Sequence, residues 1–443
     1  MSVQELESRL AQVSIDIERQ KEVLKGLEYD KSLIQRQLNS LRDPVARLPL
    51  ELSSDIFLRC LGRKPQVGER YLPVLLLNIC TAWTNIAVSV PALWHRIEIR
   101  FPRHKSFDKA LEKWLQRAGG RPLHISLHGT IDPEVTACIW RYSASIKQLD
   151  IFFEDEEVPE DGIHHLLGGT MPKAPLPCLQ NIHIRGAYDL VCHRSPLSEL
   201  VRWAPNLVDL RLENASFIGT ESFDEHFVLR NLRHLTCTGK DLMGSTSCSL
   251  SAPNLETLAL SPSIFDDSEP DAIISFLQRS LPPLRELKVF FRHRAGDDDF
   301  SWFESCMPMA TLSHLELDSP TRPILNQLFA ILQQPPSSVL PAFQSLIVRV
   351  VDRDVFAARP NHLQTNWKGL ARALTIRRSK LRTVRFHSEA RGEGFFESRI
   401  VLRDGETLVP PDILALFTGF LDHGTDIYFG TEEFGENLLL PPS

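Results

Sequence analysis

The sequence predicts an α/β protein in which a long N-terminal helix precedes a short helical module and then an extended series of strands and helices. Three observations carry this expectation. Apolar residues follow a heptad pattern from Val3 to Leu41. An apolar triplet with the spacing L-x-x-L-x-L recurs from Ile146 to Phe386. Helical patterns of suitable length stand between many of the triplets, so strand and helix alternate.

The N-terminal pattern places Val3, Leu6, Leu10, Val13, Ile17, Gln20, Leu24, Leu27, Lys31, Ile34, Leu38 and Leu41 at the a and d positions, with only Gln20 and Lys31 polar. The intervening sites are mostly charged or polar, so the apolar stripe is narrow and the helix cannot be buried on all sides. The expectation is a coiled-coil helix over residues 1–42, paired as a parallel homodimer through residues 3–41. A helix that folds back on its own chain or stands exposed is the alternative, and Gly26 weakens the helix slightly.

Pro44 stops this helix, and Pro49 sits near the start of a new one, where its missing N–H costs nothing. Leu48, Leu52, Ile56, Phe57, Cys60 and Leu61 then recur at helical spacing. A second apolar run, Val74 to Cys80, leads into Trp83, Ile86 and Ala87, and Pro91 ends it. Two short amphipathic helices cannot enclose a core alone, so this stripe must be covered by the rest of the chain or by a partner. The region 43–95 reads as a docking module.

Residues 96–390 carry the repeat. Its clearest copies are Leu179/Ile182/Ile184, Leu207/Leu210/Leu212, Leu232/Leu235/Cys237, Leu255/Leu258/Leu260, Leu284/Leu287/Val289 and Leu312/Leu315/Leu317. Weaker copies are Ile146/Leu149/Ile151, Phe343/Leu346/Val348 and Leu381/Val384/Phe386, and Trp94/Ile97/Ile99 and Pro122/Ile125/Leu127 are the earliest candidates. Separations of 23 to 38 residues lie around the leucine-rich-repeat range. Helices are expected at Phe107 to Ala118, Pro196 to Trp203, Asp271 to Ser280, Ile324 to Leu332 and Asn366 to Ile376. The repeated strand, helix and Pro-marked return predict a curved solenoid with a parallel sheet on its inner face. The asparagine that usually follows the triplet is replaced by Ala187, Ala215, Lys240, Ser263 and Arg292, so side-chain ladders in the turns are expected to be absent. Residues 391–443, with a helical pattern from Pro411 to Leu421 and a strand-like Asp426 to Phe429, read as a terminal cap.

Strand alternation turns offsets 2, 4 and 6 of each triplet to the exposed sheet face. Arg185, Arg211, His234, Lys288, His314 and Arg385 fall there among acidic neighbours. A polar strip of mixed sign suits a protein target, because charge pattern gives selectivity.

Composition limits the function classes. The chain has 443 residues and 43% hydrophobic content, enough for two or three units. A net charge of −7 with scattered basic residues argues against nucleic-acid binding. The eight cysteines lie mostly inside apolar runs and read as reduced core thiols of a cytoplasmic or nuclear protein. No apolar leader is evident, and the longest apolar run, Leu72 to Cys80, is far short of the roughly 20 residues that span a bilayer. No membrane association is expected.

Enzyme motifs are missing. G-x-S-x-G, G-x-x-x-x-G-K-[ST] and H-E-x-x-H do not occur. His164-His165 and Cys192-His193 lack the further ligands of a zinc site, and the acidic clusters Glu154 to Glu157 and Asp297 to Asp299 lack the glycine and spacing of a calcium loop. The expectation is a non-catalytic protein without cofactor or metal.

The opening Leu48-Pro49 with Glu51-Leu52, then Ile56, Ile79-Cys80 before Trp83, Ile86-Ala87, and the closing Pro91-Ala92-Leu93-Trp94 resemble the F-box, the adaptor-binding segment of substrate receptors in cullin-type ubiquitin ligases. The segment Gly62 to Leu72 is polar and long for that family. The repeats resemble the divergent leucine-rich-repeat domains that often follow an F-box. The resemblance implies that Leu48, Pro49, Leu52, Ile56, Ile79, Cys80 and Trp83 bind a Skp-family adaptor and, through it, a cullin, while the repeat face holds an unknown protein target. The alternative is a coiled-coil and repeat scaffold without a ubiquitin role, in which the helical module only caps the repeats.

Overall fold

A computed structural model of the chain describes residues 3–61, 72–101, 107–129, 132–153, 175–218, 227–239, 250–261, 268–291, 303, 309–350, 360–388, 411–421 and 424–431. The chain divides into two compact units, Met1–Ser126 and Leu127–Ser443.

The first unit opens with α1 (Val3–Arg42), a single 40-residue helix. A short 3-10 turn, Val45–Arg47, follows Pro44, and the Asp43 carboxylate accepts the Val45 N–H at 2.8 Å. Helix α2 (Leu50–Cys60) starts on Pro49, whose carbonyl accepts from Leu52 and Ser53. Where the sequence reading placed one second helix there are two, α3 (Leu72–Ile79) and α4 (Thr81–Ser89). The break falls at Cys80, which is extended and accepts the Trp83 N–H on its sulfur at 3.5 Å, as an N-cap does. Thr84 closes the corner, its hydroxyl donating to the carbonyls of Leu77 at 2.9 Å and Cys80 at 3.0 Å. Strand β1 (Arg96–Arg100), helix α5 (Phe107–Arg117) and the start of β2 (Leu123–His128) complete the unit.

In the second unit, α6 (Pro133–Trp140) was not anticipated. Its N-terminus nonetheless follows local rules, with Asp132 capping the Glu134 N–H at 2.8 Å and Pro133 at the first position. The long strands are β3 (Ile146–Phe153), β4 (Asn181–His193), β5 (Asp209–Ile218), β7 (His234–Thr238), β9 (Thr257–Ser261), β10 (Glu286–Phe290), β11 (His314–Asp318), β12 (Ser345–Val350), β13 (Thr383–Ser388) and β14 (Asp426–Thr431). Two-residue strands β6 (Phe227–Val228) and β8 (Leu250–Ser251) pair separately. Helices α7 (Arg194–Trp203), α8 (Ser268–Ser280), α9 (Arg322–Leu332), α10 (Pro360–Arg377) and α11 (Pro411–Leu421) lie between strands, each overlapping a helical pattern read from the sequence.

Among the described residues the chain is mixed α/β, with an N-terminal helix and an open parallel sheet of twelve strands in chain order. The triplet repeat sets the register. Offset-3 residues Leu149, Ile182, Leu210, Leu235, Leu258, Leu287, Leu315, Leu346 and Val384 stand opposite one another from strand to strand, and offset-5 residues form a second ladder beside them. Both ladders and the offset-0 residues are buried. One-residue slippage would turn every leucine to the polar face, so the repeat fixes the pairing. Strand β14, read as part of a cap, continues the ladder, with Ile427 opposite Val384.

The turns entering the strands carry a side-chain ladder of their own, before the triplet, at positions the expectation about the following turn did not cover. Asn206, Asn231 and Asn254 each precede the first leucine of a triplet, just ahead of the strand, and donate to the carbonyls of Pro177 at 2.8 Å, Pro205 at 3.1 Å and Arg230 at 2.7 Å in the preceding turn. Lys380 takes the same step to Pro341 at 2.8 Å.

Candidate functional site

The helical module has two differently used faces. On the inner face of α2, Ser53 and Phe57 are buried, and Ser53 donates to Val45 at 3.2 Å. Leu52 and Ile56 on α2 and Leu48 just before it are 54%, 40% and 39% exposed, and Leu50 on α2 and Leu75 on α3 are exposed too. Clustered apolar exposure of this kind marks an interaction surface more often than a solvated one.

The seven residues expected to bind an adaptor divide between these faces. Leu48, Pro49, Leu52 and Ile56 are exposed, and Ile79 is half-buried. Cys80 is buried at the α3–α4 corner. Trp83 packs its ring on Phe57, and its indole nitrogen is buried without a hydrogen-bond partner. Cys80 and Trp83 therefore hold α4 against α2, whereas Leu48, Leu52 and Ile56 face outward. Sequence periodicity could not separate them, because an exposed leucine and a buried one look alike on a helix whose neighbours are unknown.

Trp94 closes the module. Its indole N–H donates to the Ala87 carbonyl at 2.8 Å, its ring meets that of Trp114 edge-on at 4.8 Å, and the Arg117 guanidinium lies over it at 4.7 Å. Trp114 in turn donates to the Trp94 carbonyl at 2.9 Å. Next to it, His95 Nδ1 lies 2.6 Å from the Ala92 carbonyl, and burial pushes the imidazole pKa down.

Two polar residues that the heptad reading passed over anchor α1 within the first unit. Arg36 donates to the Leu77 carbonyl at 2.8 Å and to the Thr84 hydroxyl at 3.0 Å, and Asn39 donates to the Ile79 carbonyl at 3.2 Å. Their spacing of three on the helix gives the only sequence signal, and it is weak.

The polar sheet face in the second unit alternates as expected, but its cations are paired with neighbouring acids. Arg211 grips Asp209 on its own strand, at 2.8 Å from Nη2. Glu213 lies 3.3 Å from His183 Nε2 and 3.8 Å from Arg185, and the imidazole contact holds its carboxyl below the usual range. Lys288 bridges Glu286 at 3.2 Å and Glu316 at 3.1 Å, and Arg349 also pairs with the buried Glu316. Arg385 reaches Asp426 at 2.6 Å. His234 is half-buried between Asp209 and Thr257 in register, and exposed His314 places Nδ1 2.7 Å from the Ser313 hydroxyl. Aromatic rings extend the strip, with His128 stacked on Phe152 at 4.7 Å and Phe152 edge-on to His183 at 5.1 Å. Arg349 and Asp426 were missed as members of the strip, since only the aligned register brings them beside Glu316 and Arg385.

Among the described residues, no group of three His, Cys, Asp or Glu side chains could hold a metal ion, and no helix is long and apolar enough to cross a membrane. His164-His165 and the two acidic clusters lie outside the described residues, as does the 62–71 stretch between α2 and α3. Compared with models of known protein families and with curated proteins, the chain matches none.

Proposed function

We propose that this protein is the substrate-recognition subunit of an SCF-type (Skp–cullin–F-box) ubiquitin ligase. The single observation that carries the reading is the exposed apolar set of Leu48, just before α2, with Leu52 and Ile56 on α2, a helix whose opposite face is filled by Phe57 and packed by Trp83. That surface lies in the segment that resembles an F-box, and it would bury against a Skp-family adaptor linked to a cullin. Three half-exposed aliphatic side chains made fully buried supply about 1 kcal/mol each, and a few such anchors dominate interfaces of this size.

The repeat domain, read as an irregular leucine-rich-repeat-like solenoid, would hold the target on its polar sheet face. Arg185, Arg211, His234, Lys288, His314 and Arg385 are proposed contacts, with their paired acids setting the pattern that a complementary partner must match. Ubiquitin transfer would belong to the conjugating enzyme brought by the ligase, so the receptor acts through proximity.

A second reading has its own support. The helices share a compact unit with β1 and α5, and Trp94 binds α4 to α5 through Ala87 and Trp114. This suits a scaffold in which the module merely ends the repeats. Co-expression of the full chain with a Skp-family adaptor, followed by size-exclusion chromatography, separates the two. The receptor reading expects stoichiometric co-elution that Leu52→Arg abolishes; a folded chain that elutes without adaptor supports the scaffold.

A further inference from the structure

The seam of α1 is a long apolar stripe left largely exposed. All ten apolar a and d residues are exposed, from 38% at Leu38 to 75% at Leu41. At 40 residues and about 1.5 Å per residue the helix is about 60 Å long. The residues that tie it to α3 and α4 are Arg36 and Asn39, which occupy heptad positions f and b on the opposite side. The anchor therefore holds the helix by its back and turns the seam away from its own unit. A helix that folded back on its own chain through the heptad stripe would bury these residues.

We propose that the seam is covered by α1 of a second copy of this chain, in a parallel, in-register coiled coil. Charge and polar placement select this occupant and this direction. In parallel register each a or d residue faces its own copy, so Gln20 meets Gln20 and their amides can hydrogen-bond. Lys31 meets Lys31, a like-charge contact that each lysine offsets by packing beside the partner's g-position Asp30. The flanking g-to-e pair Asp16 and Lys21 is of opposite charge, and the remaining pairs Arg9 and Ser14, Val23 and Glu28, Asp30 and Gln35, and Gln37 and Arg42 contain no like charges. Reversing one helix in full overlap sets Gln20 against Leu24 and Lys31 against Val13, and it brings Asp16 to Asp30 and Lys21 to Lys21. Buried polar groups then lose their partners and like charges meet. The sequence thus favours the parallel self-pair over the full-overlap antiparallel one.

The pairing leaves Leu48, Leu52 and Ile56 outside the seam. A dimer would carry two such surfaces and two sheet faces, and on the ligase reading it would raise avidity for a multivalent target. The dimer itself does not depend on that reading.

Sedimentation equilibrium of the purified full chain, without adaptor, tests the proposal. The expected mass is twice 50.3 kDa, and Leu24→Arg with Leu27→Arg, both at exposed positions, reduces it to the monomer with an unchanged thermal transition. A wild-type monomer throughout the micromolar range overturns the proposal. Asp30→Lys reads the direction. In the parallel pair it sets a lysine beside Lys31 and weakens dimerisation about tenfold; in the antiparallel pair it meets Asp16 and tightens it, which would overturn the parallel assignment.

Discussion

The rings of Phe57 and Trp83 lie 4.9 Å apart, centroid to centroid, with their planes tilted by 45°, and this contact fastens α4 to α2. Trp83 is thus part of what builds the surface on which Leu52 stands. The two residues should respond differently to substitution. Trp83→Ala leaves a void against Phe57 and costs about 2 kcal/mol or more. Leu52→Arg, at an exposed helical position, changes stability by no more than about 0.5 kcal/mol. Thermal unfolding followed by circular dichroism distinguishes them; equal losses would show that Leu52 is structural.

Arg377 is 2% exposed. Its guanidinium donates to the carbonyls of Leu332 at 2.8 Å, Val339 at 3.0 Å, Leu340 at 3.2 Å and Gln334 at 3.4 Å, which close the end of α9 and the turn after it. Burial lowers its pKa, although an arginine stays charged. Arg377→Met should strand these carbonyls and cost about 3 kcal/mol. Arg377→Lys should recover only part of this, because an ammonium cannot reproduce the planar fork. Urea midpoints of the three proteins give the comparison.

Glu213 and His95 set two pH windows. The carboxyl of Glu213 titrates lower in the folded chain than its ordinary 4.5. Its contribution is therefore present above that value and is lost as pH falls through the lower, folded one. Glu213→Gln should lower the melting temperature at pH 7 and flatten its decline in acid. His95 also titrates below its ordinary 6.5, but as a base. The unfolded chain takes up the proton first, so stability declines as pH drops below about 6.5, and His95→Gln should remove that step. Melting curves at closely spaced pH values resolve both.

The asparagine ladder is open to a simpler test. Asn231 donates to Pro205 at 3.1 Å and to the Asn206 amide oxygen at 3.3 Å. Asn231→Ala should cost about 1 kcal/mol, and combining it with Asn206→Ala should cost less than the sum, because the two side chains share a bond. Strict additivity would show that the ladder is not a unit.

The triplet ladder of the sheet was legible in the sequence, because a period-two strand with buried leucines at offsets 3 and 5 has one register that keeps them inside, as Leu287 opposite Leu258 and Leu315 shows. The long ends of β4 and β5, with their register shift after Arg185, were not. The helices between strands were legible from their apolar spacing, except α6 between β2 and β3. Two further features were not. The break at Cys80 depends on a sulfur accepting a backbone N–H and on the Thr84 hydroxyl, neither of which disturbs the apolar pattern of Val74 to Trp83. The pairing of Glu316 with Arg349 and of Arg385 with Asp426 crosses 33 and 41 residues of sequence and needs the register first. In the helical module the pattern identified the apolar residues together, while the division into inward Phe57 and outward Leu52 required their neighbours in space.

Hydrogen exchange on the full chain, with and without a Skp-family adaptor, tests the central claim most directly. The ligase account predicts slowed exchange across residues 48–58 on adaptor addition, absent in Leu52→Arg. Exchange unchanged there at saturating adaptor would contradict it.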